Sequence, residues 1–503
     1  MPEHGLRPAW VALLTLLAGG LVTLSFAPFN LWPAGIASCA LYCYLLSTCT
    51  PRQALWRGWL FGLGLFGSGV SWVYVSIHVY GYASVPLAAL LTVLFCAGLA
   101  LLHSLFAWCY ARWVRPLPGG MLAGFGALWV LFEGLRSWLL TGFPWLYLGY
   151  GHIDTWLAGW APAVGVYGLS FAVAVSGSCL FLAWRNPKPA GLLTYLTVVA
   201  ILWLGGRTLG TVEWVVPATE QPLRVALYQP NIPQALKWQR DYYPRILEQY
   251  SSAIVAQADH DIVVWPESAL PRFYQQARDY LDPVAAGFAS RNSTLITGIP
   301  WREPGSKDYF NSIVALGAGS GVYHKQRLVP FGEYVPLEHW LRGLIAFFDM
   351  PMSSFSAGPP GQSLLLADGV RVAPFICYEI VYPGLVARGA RNADVLVTIS
   401  NDSWFGASIG PLQHLQMARM RALESGRYLL RGTNNGVSAI IDHQGRILQR
   451  SPQFEEALLS GEAHIMLGST PAAIYGPRPV LGGCVLLLLL MLVVYHTVWR
   501  ERD

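Results

Sequence analysis

The chain has 503 residues, 54% hydrophobic and 12% charged, about half the charged share of an average soluble domain. That balance excludes a disordered or fibrous chain and an ordinary soluble one. The 33 basic and 28 acidic residues leave a net charge of +5. The polar segment carries no basic cluster, which excludes a nucleic-acid surface as the main feature.

In chain order, no charged residue stands from Pro8 to Pro51 or from Gly58 to Ala111. A membrane span takes about 20 apolar residues, so each stretch holds two. Pro28, Asn30 and Pro33 break the first stretch, and the run His78 to Pro86 breaks the second. Further spans fit near 119–139, 161–184, 190–206 and 480–498, which makes eight. Ser25-Phe26-Ala27-Pro28 is a poor cleavage site, so the first span is expected to stay uncleaved. Glu133 and Arg136 fall near the outer end of the fifth span. Ionisable groups there are costly and usually functional or mutually paired, and their spacing suits a structural ion pair.

Orientation follows from the flanks. Arg7, Arg52, Arg57, Arg112, Arg115, Arg185, Lys188, Arg500 and Arg502 all fall on one side if both ends are cytoplasmic. The opposite short loops, around Phe29 and Gly81, have no Lys or Arg, as the positive-inside rule requires. The expected organisation is 1–206 with seven spans, 207–478 as an outer domain, and 479–503 with the eighth span and a cytoplasmic tail.

Between Arg207 and Arg478 short β-branched runs recur at 224–228, 261–265, 294–298, 370–376 and 394–399. Helix-like stretches at 243–258, 274–289 and 412–426 separate them. Such alternation predicts an α/β layered domain. The pairs 309–316 with 320–324, and 436–442 with 446–450, read as antiparallel hairpins around Gly. Seven of eight cysteines lie in or beside the spans, and Cys377 is the one thiol of the outer domain.

Three chemical groups stand at strand ends, where α/β sheets place ligand crevices. Glu267 follows 261–265 in Trp265-Pro-Glu267-Ser268. Lys325 opens a Pro- and Gly-broken loop, Tyr323-His-Lys325 to Glu333-Tyr-Val-Pro336. Cys377 follows 370–376 in Ile376-Cys377-Tyr378-Glu379. Taken singly, these read as a helix N-terminal acid, a solvated lysine and an inert core thiol. Together they suit a nucleophilic site in which the thiol attacks, the carboxylate takes its proton and the ammonium faces the oxyanion.

The ordered Glu…Lys…Cys set and its flanking motifs resemble the nitrilase superfamily. With the eight-span frame, and with Thr398-Ile-Ser-Asn-Asp-Ser-Trp-Phe-Gly406, Pro230-Asn-Ile-Pro-Gln234, Gln413–Ala422 and Arg431–Gly436, the whole chain resembles the apolipoprotein N-acyltransferase family. The resemblance implies an αββα nitrilase-like sandwich in the periplasm of a bacterial inner-membrane protein. It implies Glu267 as general base, Lys325 as oxyanion partner and Cys377 as nucleophile, with Glu333, Tyr378, Glu379 and Trp238 in support. An acyl chain from a phospholipid, typically phosphatidylethanolamine, would pass to the α-amino group of a diacylglyceryl-cysteine apolipoprotein. Passing through a thioester to an amide is downhill, so no cofactor or metal is expected, and the enzyme is expected to be a monomer. Glu333 would hold the Lys325 ammonium in place.

Both substrates carry long acyl chains, so the site should open to the bilayer. The apolar loop 344–355, with Phe347, Phe348 and Phe355, is expected to act as a lid, and Trp404-Phe405-Gly406 is a second candidate. A membrane-bound amidase or nitrile hydrolase could use the same three residues with water as acceptor, but a simple tether needs one span. A transporter would need ionisable residues in several spans.

Overall fold

The computed structural model describes residues 7–257, 259–303, 305, 308–330, 332–334 and 355–499. The expected lid at 344–355 lies outside the described residues except for Phe355. The chain divides into two compact units. One comprises Met1–Tyr74, Val85–Val212 and Tyr475–Asp503, and the other Val75–Ser84 and Glu213–Ile474.

In the first unit helices overlap the regions expected to span, at Pro8–Leu24, Pro33–Leu46, Pro51–Gly69, Val85–Cys109, Phe125–Arg136, Ala161–Arg185, Pro189–Leu209 and Arg478–Val494, but Phe125–Arg136 has 12 residues, too few to cross alone. Proline opens the first three and Pro189–Leu209, where its missing N–H costs nothing. Thr50 and Gln53 add a reciprocal capping box. Pro8–Leu24 packs so close to Pro51–Gly69 that a Cβ at Gly64 would collide with the Leu16 backbone carbonyl. Small residues permit such contact where water supplies no driving force. By length and composition, four helical runs can cross a membrane: Val85–Val114, Trp156–Arg185, Pro189–Leu209 and Arg478–Thr497. The bent pair Pro51–Gly69 with Val73–Tyr80 makes a fifth, while Pro8–Leu24 and Pro33–Leu46 are shorter.

The expected Glu133–Arg136 ion pair does not form. Glu133 Oε1 instead accepts from Trp129 Nε1 and Leu148 N, both at 2.9 Å. The Arg136 guanidinium lies over the rings of Phe66 and Tyr147, 5.2 and 5.0 Å from their centroids. Nearby aromatic faces and a backbone N–H hold the two charges separately.

In the second unit two sheets pack face to face. The described strands of one run in the order 457–463, 223–229, 262–264, 294–302, 309–317, 322–324. The other runs 447–450, 439–441, 429–433, 395–400, 370–376, 365–367, 319–320. The centre of each is parallel, and strands covered on both faces read as continuous apolar runs. Period-two alternation sorts the side chains. Val225, Leu227, Ile262 and Val264 enter the inter-sheet core with Val372, Ile376, Val395 and Val397. Ala226, Tyr228 and Val263 face Ile246, Tyr250, Ala277 and Leu281 of the helices Tyr243–Gln257 and Tyr274–Ala289. Helices Pro383–Ala390 and Gly410–Ser425 contact the other sheet. The layers are therefore αββα.

Phe355 does not face outward. It is buried, 5.1 Å from the Tyr309 ring. The other lid candidate is pinned within this unit. Ser76 Oγ donates to the Trp404 carbonyl at 2.7 Å, and the Tyr80 ring meets Trp404 edge-on at 5.4 Å.

Candidate active site

Glu267 stands three residues beyond the strand Ile262–Val264, and the next residue, Ser268, has φ +47°. The turn passes so close to the neighbouring strand that a Cβ at Gly298 would lie 2.7 Å from the Glu267 Cα. Glycine is thus required at this crossing. The carboxylate is fixed from two sides. Asn311 Nδ2 donates to Oε1 at 2.7 Å, and Asn401 N donates to Oε2 at 2.8 Å.

Lys325 follows the strand Val322–His324 and is 1% exposed. Its Nζ lies 2.8 Å from each Glu333 oxygen and 3.7 Å from Glu267 Oε1. Burial works to lower its pKa, but the charges of Glu333 and then Glu267 hold it well above the ordinary lysine range. The lysine stays an ammonium, with hydrogens left for a developing anion. Glu333 is itself anchored by Asn311 Nδ2 at 2.9 Å and Val329 N at 2.8 Å.

Cys377 ends the strand Val370–Ile376 with φ +51°, a left-handed conformation that bulky residues adopt only where the surroundings enforce it. Burial, followed by the charge of Glu267, pushes its thiol above the usual range, while Lys325 and the Ser400 hydroxyl pull it down. The resting group is a neutral thiol, and it would need a base to become a thiolate. Glu379 braces both neighbours. It accepts from Ile376 N at 2.9 Å, just before the thiol, and from Gln326 N at 2.7 Å, just after the lysine. Tyr323 also donates to it, at 2.9 Å.

The remaining candidates sit farther out. Tyr378 is buried and packs edge-on against Tyr382 at 5.2 Å. Trp238 is 39% exposed and forms no hydrogen bond with Glu267, Lys325 or Cys377 among the described residues. The sequence reading missed Asn311, Asn401 and the cluster beneath Cys377. There His414 Nε2 lies 3.1 Å from the Cys377 carbonyl. Arg431 Nη2 lies 3.1 Å from His414 Nδ1 and 2.7 Å from Asp402 Oδ2. It missed Lys237 as well, whose Nζ reaches the Glu267 carbonyl at 3.0 Å. The available signal was an uncompensated polar residue inside an apolar run, as with Asn311 in Tyr309–Gly317 and Arg431 in Leu429–Thr433.

Residues 18–179 match the apolipoprotein N-acyltransferase N-terminal domain and residues 224–470 match the carbon-nitrogen hydrolase family. An apolipoprotein N-acyltransferase from Azotobacter vinelandii is 49% identical, over 96% of this chain and 95% of its own. One from Pseudomonas aeruginosa is 49% identical over 99% and 98%. A CN-hydrolase superfamily protein of known structure from Xanthomonas campestris aligns with 53% of this chain and 97% of its own, at 18% identity and a TM-score of 0.37.

Proposed function

The chain belongs to the apolipoprotein N-acyltransferase family, and from that premise we propose how it works. It is an acyltransferase of lipoprotein biosynthesis, its substrates a lipid acyl donor and a lipoprotein, and its apolar helices fit an inner-membrane protein. In our reading Cys377 attacks the ester carbonyl of a phospholipid, for which phosphatidylethanolamine is the expected donor. Glu267 takes the thiol proton as the S–C bond forms and returns it to the departing alcohol as the C–O bond breaks. The lysophospholipid leaves and a thioester remains. The α-amino group of the diacylglyceryl cysteine then attacks, Glu267 takes the amine proton, the C–S bond breaks and the thiol is restored.

Lys325 faces the oxyanion in both halves, Glu333 holds the lysine, and Glu379 and Tyr378 support the turns that carry the chemistry. Trp238, at the surface, meets substrate. The observation that carries this reading is a buried, strained cysteine whose thiol feels the charges of both Glu267 and Lys325, with Lys325 held on Glu333. We read eight spans with both termini in the cytoplasm. Residues 1–206 hold seven spans, 207–478 form the periplasmic catalytic domain and 479–503 carry the last, and the enzyme acts as a monomer. Product analysis separates transfer from hydrolysis. With phospholipid and a diacylglyceryl peptide, the acyl chain should appear as an amide on the peptide. Free fatty acid as the main product would favour the membrane-bound amidase or nitrile hydrolase instead.

A further inference from the structure

Lys237 lies outside the catalytic set yet touches it. It ends the short helix Gln234–Lys237, is 1% exposed, and donates from Nζ to the Glu267 carbonyl oxygen at 3.0 Å. No carboxylate lies within ion-pair distance of it among the described residues. One turn earlier, Gln234 Oε1 accepts from Asn401 Nδ2 at 2.7 Å, and Asn401 N donates to Glu267 Oε2. The segment therefore grips Glu267 at both ends, through its main chain and through the partner of its carboxylate.

We propose that Lys237 is a positioning residue for acyl transfer, its ammonium holding the turn that presents the Glu267 carboxylate to the Cys377 thiol. The inference rests on Glu267 being the base. An ammonium buried on one neutral acceptor is a costly way to fill space that a methionine of similar length would fill more cheaply. Its charge is what the site gains, because a charge-assisted hydrogen bond is about twice as strong as a neutral one. Burial lowers the Lys237 pKa to about 8, against the upward pull of Glu267. At the Glu267 carboxylate itself, Lys325 and the Cys377 thiol are both held above their ordinary ranges. Glu379, which braces the turns of Lys325 and Cys377, is pushed up to about 7 and so is already ionised when Lys237 begins to lose its charge; the grip on the Glu267 turn should slacken as pH rises past about 8.

The test is the rate of thioester formation on Cys377 from phospholipid in detergent micelles, followed across that transition. Wild type, K237M, K237Q and K237R are compared, with E267Q as control. Wild type should lose rate above about pH 8, while K237R should hold its rate there. K237M should be slower by about tenfold or more at neutral pH, with no fall at alkaline pH, yet unfold at or above the wild-type temperature. K237Q, a neutral donor, should lie between them and be equally flat. A K237M enzyme with wild-type rate and pH profile would overturn the proposal. So would one that loses stability and rate together while K237Q and K237R keep the wild-type alkaline fall. Normal thioester in E267Q would instead overturn the assignment of the base, whatever Lys237 does.

Discussion

At Lys325 the surrounding charge decides what the amine can do. Burial works to lower its pKa, but two carboxylates at 2.8 and 3.7 Å keep it cationic, so it can donate and cannot act as a base. In the proposed mechanism Glu267 is the group that takes the thiol proton. E267Q and K325A should therefore both fail to form the acyl-enzyme, not merely to discharge it. Loss of an oxyanion donor typically costs about 3 kcal/mol or more. Single-turnover thioester assays check this, and normal thioester in either variant would contradict the roles. Glu379 makes a pH prediction. Burial pushes its carboxyl up to about 7 from an ordinary 4.5, against the pull of the Ile376 N–H and of Lys325. The native state therefore holds this proton more tightly than the unfolded chain does. The stability it contributes is complete below about pH 4.5 and is lost as pH rises through about 7. From pH ~5 to ~8, the unfolding free energy of wild type relative to E379Q should fall by up to about 3 kcal/mol. Denaturant titrations followed by tryptophan fluorescence measure that difference, and a flat one would refute it.

Secondary-structure elements carry these residues, and some elements were easier to read than others. The strands at 223–229, 262–264, 294–302, 370–376 and 395–400 were legible because burial on both faces leaves a β-branched apolar run at the middle of each. Leu429–Thr433 was not. Arg431 and Gly432 interrupt its apolar run, and only the fold shows that Asp402 neutralises that buried arginine at 2.7 Å. The short strands Leu365–Ala367 and Val215–Pro217 offer too few residues to show a period. For the same reason Glu267, Lys325 and Cys377 could be picked out at strand ends, whereas His414, inside the helix Gly410–Ser425, could not. His414 Nε2–H donates to the Cys377 carbonyl, so Nδ1 is the acceptor that Arg431 meets. Burial, then Arg431, lowers its pKa and keeps the ring neutral. This clamp fixes the left-handed turn at Cys377. H414A should slow both Cys377 alkylation by iodoacetamide and acylation by about tenfold or more. H414Q, whose amide can still donate, should recover part of the loss. Unchanged alkylation in H414A would remove the clamp from the account.

For the whole molecule, composition alone separated an apolar part from a polar one. The chain forms two compact units, and one segment between apolar helices falls in the second. Val75–Ser84, between two apolar helices, belongs to the catalytic unit through Ser76 and Tyr80 at Trp404. Hydropathy could not show this, because a ten-residue apolar connection reads as an ordinary span boundary. Orientation rests on nine basic residues on one side against none in the short loops opposite. A periplasm-dependent reporter fused after Arg478 should be active, and one fused after Arg115 should be silent. The reverse pattern would invert the topology. Cys377 is proposed to carry the acyl chain between a lipid and a lipoprotein. That proposal is tested most directly by the intact mass of the purified enzyme after exposure to phospholipid alone, with the adduct mapped by peptide. The account predicts one acyl chain on Cys377, absent in C377A and lost when diacylglyceryl peptide is added. An adduct on another residue, or full transfer by C377A, would contradict it.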